Sequence, residues 1–261
     1  MKIPIYQLDA FSERPFSGNP AAVCPLAGWL PEATMQAIAT ENNLSETAFF
    51  VPEGERYGLR WFTPVSEIDL CGHATLATAH VVFRFLKPGT RHVAFRTEKA
   101  GVLEVTGEDD LLALDFPSRP PEPCAAPPAL AEGLGRAPEA VLAARDYLAV
   151  FGSAQEVAAL EPDFKRLAGL DRFAVIVTAP GEGGVDFVSR FFAPAKGVDE
   201  DPVTGSSHCT LIPYWARRLG KRRLEARQVS RRGGALLCED RGARVTIAGR
   251  VALYMTGNIE I

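Results

Sequence analysis

The chain contains one short sequence twice, and this repeat decides the fold. Residues 60–64 read Arg-Trp-Phe-Thr-Pro and residues 190–194 read Arg-Phe-Phe-Ala-Pro, an offset of 130 residues. Each copy leads through acidic residues to a glycine-containing turn, at Gly72 and at Gly205, where the offset has become 133. The new offset persists at Gly101 and Gly234. Because this period is half the chain, far longer than the 20–50 residues of solenoid repeats, we predict two similar half-domains.

The segments between the repeated motifs predict a strand-rich architecture with one buried helix in each half. Residues 72–86 and 205–219 are central helices, and the first of them is apolar on nearly all sides. A proline-rich stretch at 117–128 marks a connector, because proline favours extended, unpaired backbone. The predicted fold class is α+β, with two pseudo-symmetric half-domains, each a bent antiparallel sheet wrapped around its central helix. The predicted domains are 1–117 and 118–261, with terminal strands free to cross between them.

Composition excludes several classes of function. The net charge of −4 gives no electrostatic reason to expect nucleic acid or a membrane surface as partner. No apolar run approaches the roughly 20 residues of a membrane helix, and the N-terminus lacks the features of a signal peptide. The five cysteines show no paired spacing, so a disulfide framework is not expected. We therefore predict a cytoplasmic location and no nucleic-acid or membrane partner.

The two glycine-containing turns are candidate binding sites for a small anion. The first backbone N–H groups of a helix lack internal partners and carry the positive end of the helix dipole. Gly72 and His73 in the first half, and Gly205 and Ser206 in the second, would present such groups to a carboxylate. The alternative is that both glycines only permit close packing of helix against sheet.

Four polar side chains, two of them at these turns and two earlier in the chain, allow both a structural and a functional interpretation. Asp201 is either a turn residue that caps the second helix or a substrate contact. His73 is either a satisfied histidine at a helix start or a group whose charge state the dipole tunes. Glu46 precedes the apolar strand Ala-Phe-Phe, where partial desolvation would suit it to proton transfer, but it also fits a solvated loop. Asn19 is either a turn residue or a ligand donor.

Cofactor and metal motifs do not occur in the sequence. The four histidines show no H-E-x-x-H arrangement, and neither a G-x-G-x-x-G nor a Walker loop is present. We therefore predict no metal and no organic cofactor.

Together these motifs resemble those of the phenazine-biosynthesis PhzF-like proteins, in order along nearly the whole chain. Residues 120–170 match only loosely. The similar stretches are 18–23, 44–49, 60–64, 71–75, 190–194, 200–208 and 228–234.

The resemblance implies a diaminopimelate-epimerase-like fold, a homodimer and catalysis without a cofactor. It implies that Glu46 is the general acid/base and that His73, Asp201 and Ser206 contact the substrate. In the enzyme that gives this family its name, the substrate is trans-2,3-dihydro-3-hydroxyanthranilate, and a proton moves between ring carbons. The expected function is therefore that of an isomerase acting on a small acid, with Asn19, Gly72 and Gly205 as further binding residues.

Two alternatives stay open. The superfamily includes epimerases that use two cysteines, but the position equivalent to Cys71 is Thr204, whose hydroxyl is too weak an acid to replace a thiol. A single-thiol epimerase or dehydratase of an amino acid is still compatible with the sequence. A non-catalytic protein that binds a small acid is the other alternative.

Overall fold

The computed structural model describes residues 1–261, which divide into two compact units. Unit 1 comprises Met1–Asp115 and Ala248–Ile261, and unit 2 comprises Phe116–Ile247. The end of the chain is thereby grouped with the N-terminal segment. As boundaries of two separate half-domains, 1–117 and 118–261 stay a prediction.

The first 117 residues form eight strands and two α-helices. The strands are β1 (Lys2–Ala10), β2 (Asn19–Pro25), β3 (Glu46–Glu53), β4 (Arg56–Phe62), β5 (Glu67–Ile68), β6 (His92–Arg96), β7 (Val102–Glu108) and β8 (Leu111–Pro117). Helix α1 (Glu32–Asn42) separates β2 from β3, and helix α2 (Gly72–Val81) precedes β6. A π-helical turn, Val82–Leu86, continues α2.

The remaining residues form nine strands and four α-helices. The strands are β9 (Glu122–Pro123), β10 (Ala140–Ala143), β11 (Tyr147–Val150), β12 (Val175–Pro180), β13 (Phe187–Phe192), β14 (Arg223–Gln228), β15 (Gly234–Asp240), β16 (Arg244–Gly249) and β17 (Val251–Glu260). The helices are α3 (Pro128–Leu134), α4 (Ala154–Ala158), α5 (Phe164–Leu167) and α6 (Gly205–Leu219). A 3₁₀ turn, Pro194–Lys196, follows β13.

The strand pairing of each unit, taken by itself, follows the same order. In unit 1, β1 runs antiparallel to β2, β2 parallel to β3, β3 antiparallel to β4, β4 parallel to β6, and β6 antiparallel to β7. In unit 2, the pairs β10–β11, β11–β12, β12–β13, β13–β14 and β14–β15 alternate in the same way. The predicted α+β class and the internal duplication are confirmed.

Each sheet is mixed rather than wholly antiparallel. Helix α2 connects β4 to β6 and helix α6 connects β13 to β14, and both of these strand pairs are parallel. A parallel pair needs a long crossover, usually a helix, because the chain must return to the end from which it started. The buried helix that the sequence predicts in each half is therefore the crossover that joins two parallel strands.

The two central helices are buried far beyond the single stripe of a surface helix. Eight of the ten residues of α2 are buried, and α6 is buried along most of its length up to Ala216. Polar residues inside α2 are satisfied locally, since the Thr78 hydroxyl donates to the carbonyl of Ala74 at 2.7 Å. The all-round burial predicted for these segments is thus compatible with their threonines.

The repeated Arg-x-Phe motif has a structural reason in both units. Arg60 on β4 makes two hydrogen bonds to the Glu67 carboxylate, at 2.6 and 2.5 Å. Arg190 on β13 makes two to the Glu200 carboxylate, at 2.7 and 3.0 Å. A bidentate arginine–carboxylate pair fixes direction as well as distance. In each unit the pair ties the strand to the segment that leads into the central helix.

The region 120–170 contains structure that the sequence pattern does not predict. The short helices α3, α4 and α5 pack on β11 and β12 through buried residues that include Leu130, Val157 and Leu167. Helices of four to seven residues are too short to show a clear apolar period. Strand β17 is exposed from its third residue onward for most of its length. It therefore does not show the alternation of buried and exposed residues that marks a half-buried strand.

No helix of the chain has both the length and the apolar character that crossing a lipid bilayer requires.

Candidate active site

Two adjacent strands of unit 1 bring polar side chains to the start of helix α2. Asn19 is the first residue of β2, and Glu46 is the first residue of β3. These strands are parallel, with Glu46 in register with Ala21, so their first residues lie at the same edge of the sheet. Cys71 precedes α2 in an extended conformation, and Gly72 and His73 form its first turn.

His73 contacts both of these strand residues with its two ring nitrogens. Its Nε2 lies 2.8 Å from Oε2 of Glu46, and its Nδ1 lies 3.0 Å from Nδ2 of Asn19. In this orientation the Asn19 amide donates and Nδ1 accepts, which places the proton of a neutral ring on Nε2, facing Glu46. Asn19 is completely buried behind the ring, which favours a positioning role over direct contact with a ligand.

The Glu46 carboxylate is held on one side only. Its Oε2 is buried beside His73, while the side chain as a whole keeps 13% exposure. The ion-pair contact with His73 is the only polar contact of Oε2, which has no hydrogen-bond partner besides it. The arrangement therefore orients the carboxylate against His73 while the side chain stays partly exposed to a ligand.

The charge state of His73 depends on two opposing effects. Burial lowers the pKa of His73, because an imidazolium loses its hydration. The neighbouring acidic groups raise it, and the net result is a pKa well above the ordinary value. We attribute the increase in the pKa of His73 to Glu46, whose Oε2 lies 2.8 Å from Nε2 of the ring. A second proton on Nδ1 would require Asn19 to present its carbonyl oxygen instead of its amide nitrogen.

Cys71 is the fourth member of this cluster. Its Sγ lies 3.6 Å from Nδ1 of His73. Burial, together with the Glu46 charge, raises the pKa of Cys71 to about 11, so the group is a thiol at neutral pH.

One set of residues in unit 1 could hold a metal ion, which the sequence does not predict. The ligand atoms of Glu46, Cys71 and His73 all lie within 4.8 Å of one another. Cysteine, histidine and carboxylate are ligands that Zn²⁺ accepts. The thiol would have to lose its proton on binding, so the affinity would rise with pH.

The start of helix α6 in unit 2 is held by a buried glutamine. Gln228 on β14 accepts a hydrogen bond from the backbone N–H of Thr204 at 2.9 Å. Its amide nitrogen donates to the carbonyl of Asp201 at 2.7 Å. The Thr204 hydroxyl in turn donates to Oδ2 of Asp201. Gln228 thus fixes the turn that carries Asp201; the sequence motifs include it in the stretch 228–234 but assign it no role.

Ser206 in the first turn of α6 contacts an arginine that sequence reasoning also missed. Nη2 of Arg145 lies 3.2 Å from the Ser206 hydroxyl. Arg145 is in the turn between β10 and β11, within the part of the chain where the family motifs match only loosely. The local signal was an Arg-Asp pair directly before an apolar strand, which is weak by itself.

The structure groups the predicted site residues into two sets, one in each unit. Asn19, Glu46, Gly72 and His73 meet at the start of α2. Asp201, Gly205 and Ser206 meet at the start of α6. Their roles in binding and catalysis stay predictions.

Comparison with known proteins gives a consistent result over the full length. The profile of the family described as phenazine biosynthesis-like protein, PhzC-PhzF, matches residues 8–257. An uncharacterized isomerase of Pseudomonas aeruginosa is 54% identical over 261 residues, covering 100% of both chains. The crystal structure of a PhzF-family phenazine biosynthesis protein from Enterococcus faecalis superposes with a TM-score of 0.97 at 49% identity, covering 100% of both chains.

The fold extends to more distant proteins. A hydroxyproline epimerase from Agrobacterium vitis has a TM-score of 0.62 at 11% identity, covering 99% of this chain and 92% of that one. At this identity the likeness shows the fold alone. The predicted epimerase-like fold is confirmed.

Proposed function

This chain belongs to the phenazine biosynthesis-like protein family, and we propose that it is an isomerase that moves a proton between carbons of a small carboxylic acid. The observation that carries the proposal is the contact of 2.8 Å between Glu46 Oε2 and His73 Nε2, on a glutamate side chain that keeps 13% exposure. An oriented and partly exposed carboxylate is suited to act as a general base.

The proposed reaction uses Glu46 first as a base and then as an acid. Oε1 takes a proton from one carbon of the substrate, so a C–H bond breaks, an O–H bond forms, and the electron pair enters the conjugated system. The neutral carboxylic acid then returns the proton to a second carbon, and the O–H electrons stay on Glu46. His73 holds Oε2 in both steps and stabilises the carboxylate between turnovers.

Binding of the substrate acid is proposed for the helix starts. The backbone N–H groups of Gly72 and His73 lie in the first turn of α2, where a helix has unpaired donors. The family resemblance supports Asp201, Gly205 and Ser206 as further substrate contacts. A compound like trans-2,3-dihydro-3-hydroxyanthranilate is the proposed substrate class, and no cofactor takes part. A homodimer and a cytoplasmic location belong to the same proposal.

The test follows isomerisation by proton NMR in D2O. The wild-type protein is expected to convert trans-2,3-dihydro-3-hydroxyanthranilate, and deuterium enters the product to the extent that the protonated Glu46 exchanges with solvent before it returns the proton. Glu46→Gln is expected to lower kcat by about 10²- to 10⁴-fold, because the amide cannot accept the proton, while the substrate still binds. Glu55→Gln removes a carboxylate from an exposed turn of the same unit and serves as the matched control. Substantial turnover by Glu46→Gln would refute the assignment of the acid/base.

A second candidate is a thiol-dependent epimerase or dehydratase. The contact of 3.6 Å between Cys71 Sγ and His73 Nδ1 favours it, because a histidine can activate a thiol. The raised pKa of Cys71 argues against it, since a thiolate is the reactive form. Inactivation by iodoacetamide at Cys71, with protection by substrate, would support this candidate over the first.

A further inference from the structure

We propose that Arg145 is a specificity-determining residue that binds the carboxylate of the substrate beside Ser206. The inference rests on the proposed function, because it names the side chain that distinguishes an acid from its uncharged analogue. All residues that carry it lie in unit 2.

The Arg145 guanidinium is held rigidly by its neighbour in sequence. Its Nε and Nη2 each donate to one oxygen of the Asp146 carboxylate, both at 2.9 Å. Asp146 is 1% exposed, so the anchoring carboxylate is immobile. A guanidinium fixed in this way is oriented before any ligand arrives, which reduces the entropy lost on binding.

An aromatic ring supports the flat face of the guanidinium. The Arg145 guanidinium carbon lies 4.4 Å from the centre of the Phe173 ring, and Nζ of Lys196 lies 5.3 Å from the same centre. Phe173 is an exposed large hydrophobic residue. Arginine stacked on an aromatic ring is a recurring platform for anions and planar groups. Asp146 balances one of the two cations, so this cluster keeps a surplus of positive charge.

Arg145 keeps one guanidinium nitrogen, Nη1, with which it can bind a carboxylate. Nη2 reaches the Ser206 hydroxyl at 3.2 Å, whereas Nη1 makes no hydrogen bond within the protein. The side chain as a whole keeps 30% exposure, so a ligand can reach part of it. Ser206 lies in the first turn of α6, whose backbone N–H groups also lack helical acceptors. One carboxylate can therefore accept from Nη1 and from the Ser206 side of the turn.

The competing explanation is that Arg145 only neutralises the buried charge of Asp146. Removing one partner of a buried pair leaves an uncompensated charge and destabilises the fold. A single Arg145 variant therefore cannot separate binding from stability. Replacing both partners removes the buried charge as well as the arginine, and this double variant distinguishes the two explanations.

The experiment measures binding of two probes by isothermal titration calorimetry. Anthranilate (2-aminobenzoate) carries the carboxylate, and aniline is the same ring and amine without it. The proteins are the wild type, Arg145→Gln, Asp146→Asn and the double variant, each checked for folding by thermal unfolding. We expect Arg145→Gln and the double variant to bind anthranilate roughly tenfold or more weakly, because one charge-assisted hydrogen bond is lost. Aniline binding is expected to be equal in all four proteins.

Three results would overturn the proposal. They are wild-type affinity for anthranilate in the double variant, an equal loss for both probes, and no preference of the wild-type protein for anthranilate over aniline. The measurement needs no turnover. Failure of the Glu46→Gln test would therefore refute the proposed reaction and leave the role of Arg145 standing. Failure of the binding experiment would refute the role of Arg145 and leave the proposed reaction standing.

Discussion

The starts of helices α2 and α6 have the same backbone arrangement but carry different chemistry. In unit 1 the Thr75 hydroxyl donates to the carbonyl of Cys71 at 2.6 Å. At the equivalent positions in unit 2, Nδ1 of His208 donates to the carbonyl of Thr204 at 2.8 Å. Both hydrogen bonds join a side chain to the carbonyl four residues before it, at the residue that precedes the helix. The duplication has therefore kept the geometry of the turn while its side chains diverged.

The second residue of each helix shows the divergence most clearly. His73 contacts Asn19, and its counterpart Ser206 contacts Arg145. Both partners come from the segment that enters the second strand of the unit. The first side chain pair orients a titratable ring, and the second presents a fixed cation.

The acid/base candidate has no counterpart in unit 2. Thr47 pairs with Phe62 in unit 1, and Val175 pairs with Phe192 in unit 2. Glu46 therefore corresponds to Ala174, a residue without an ionisable group. An epimerase that uses two bases needs one on each side of its substrate, whereas a proton shift on one face needs a single base. The comparison favours the single-base reaction.

The largest expected effect comes from comparing His73 with Ser206, the second residues of helices α2 and α6. His73→Asn is expected to lower kcat by about 100-fold or more, because Glu46 loses the donor that orients it. Ser206→Ala is expected to raise KM with a much smaller change in kcat, since it removes only a binding contact. Initial rates from the D2O assay give both parameters. Equal losses of kcat in the two variants would show that the helix starts share the chemistry.

The next prediction concerns the glutamine that only unit 2 uses to hold its helix start. Gln228→Ala is expected to lower the free energy of unfolding by about 2–4 kcal/mol, because one buried and one partly buried hydrogen bond to backbone groups are lost. Gln155→Ala, at an exposed position of α4, is the matched control and should change it by less than about 0.5 kcal/mol. Urea unfolding measures both variants. A similar result for the two glutamines would mean that the turn is held by other contacts.

Acid should destabilise the protein through His208, which stands where unit 1 has Thr75. Burial lowers the pKa of His208 to about 4, below the ordinary value near 6.5 of an unfolded chain. The unfolded state then binds more protons below pH 6.5, so stability falls as the pH decreases from about 6.5 towards 4. This group alone is expected to cost about 2 kcal/mol between pH 7 and pH 5.

The variant His208→Thr isolates that contribution. Threonine is the residue at the equivalent position of unit 1, where it makes the same hydrogen bond without titrating. Urea unfolding at pH 7, 6 and 5 should show a smaller loss of stability for the variant than for the wild-type protein. Equal pH dependence of the two proteins would exclude His208 as the source.

The smallest expected effect concerns Cys71, whose counterpart is Thr204. Cys71→Ser is expected to change kcat by less than about threefold, because the raised pKa keeps the group out of proton transfer. Treatment with EDTA is likewise expected to leave the rate unchanged under the proposed mechanism. A loss beyond 100-fold in the variant would support the thiol-dependent reaction. A loss on EDTA treatment that Zn²⁺ reverses would show that activity depends on a metal, for which Glu46, Cys71 and His73 are the candidate ligands.

The order of elements could be read from the sequence because its signals are local or repeated. The duplication, the α+β class and both central helices follow from motif spacing and from runs of apolar residues. Gly72, His73, Gly205 and Ser206 were located at helix starts for the same reason. The short helices between 128 and 167 and strand β17 lacked such a signal, because their segments are too short or too exposed to show a period.

Only the tertiary structure decided which side chains are in contact at the two helix starts. The sequence determined that Glu46 and His73 lie near the ends of elements, but the register of β2 and β3 against α2 brings their atoms to 2.8 Å. The contact between Arg145 and Ser206 spans 61 residues, and that between Gln228 and Thr204 spans 24. Local propensity carries no information over such separations. Side-chain contacts at these distances depend on strand register and helix placement, which only the packing of the whole unit sets.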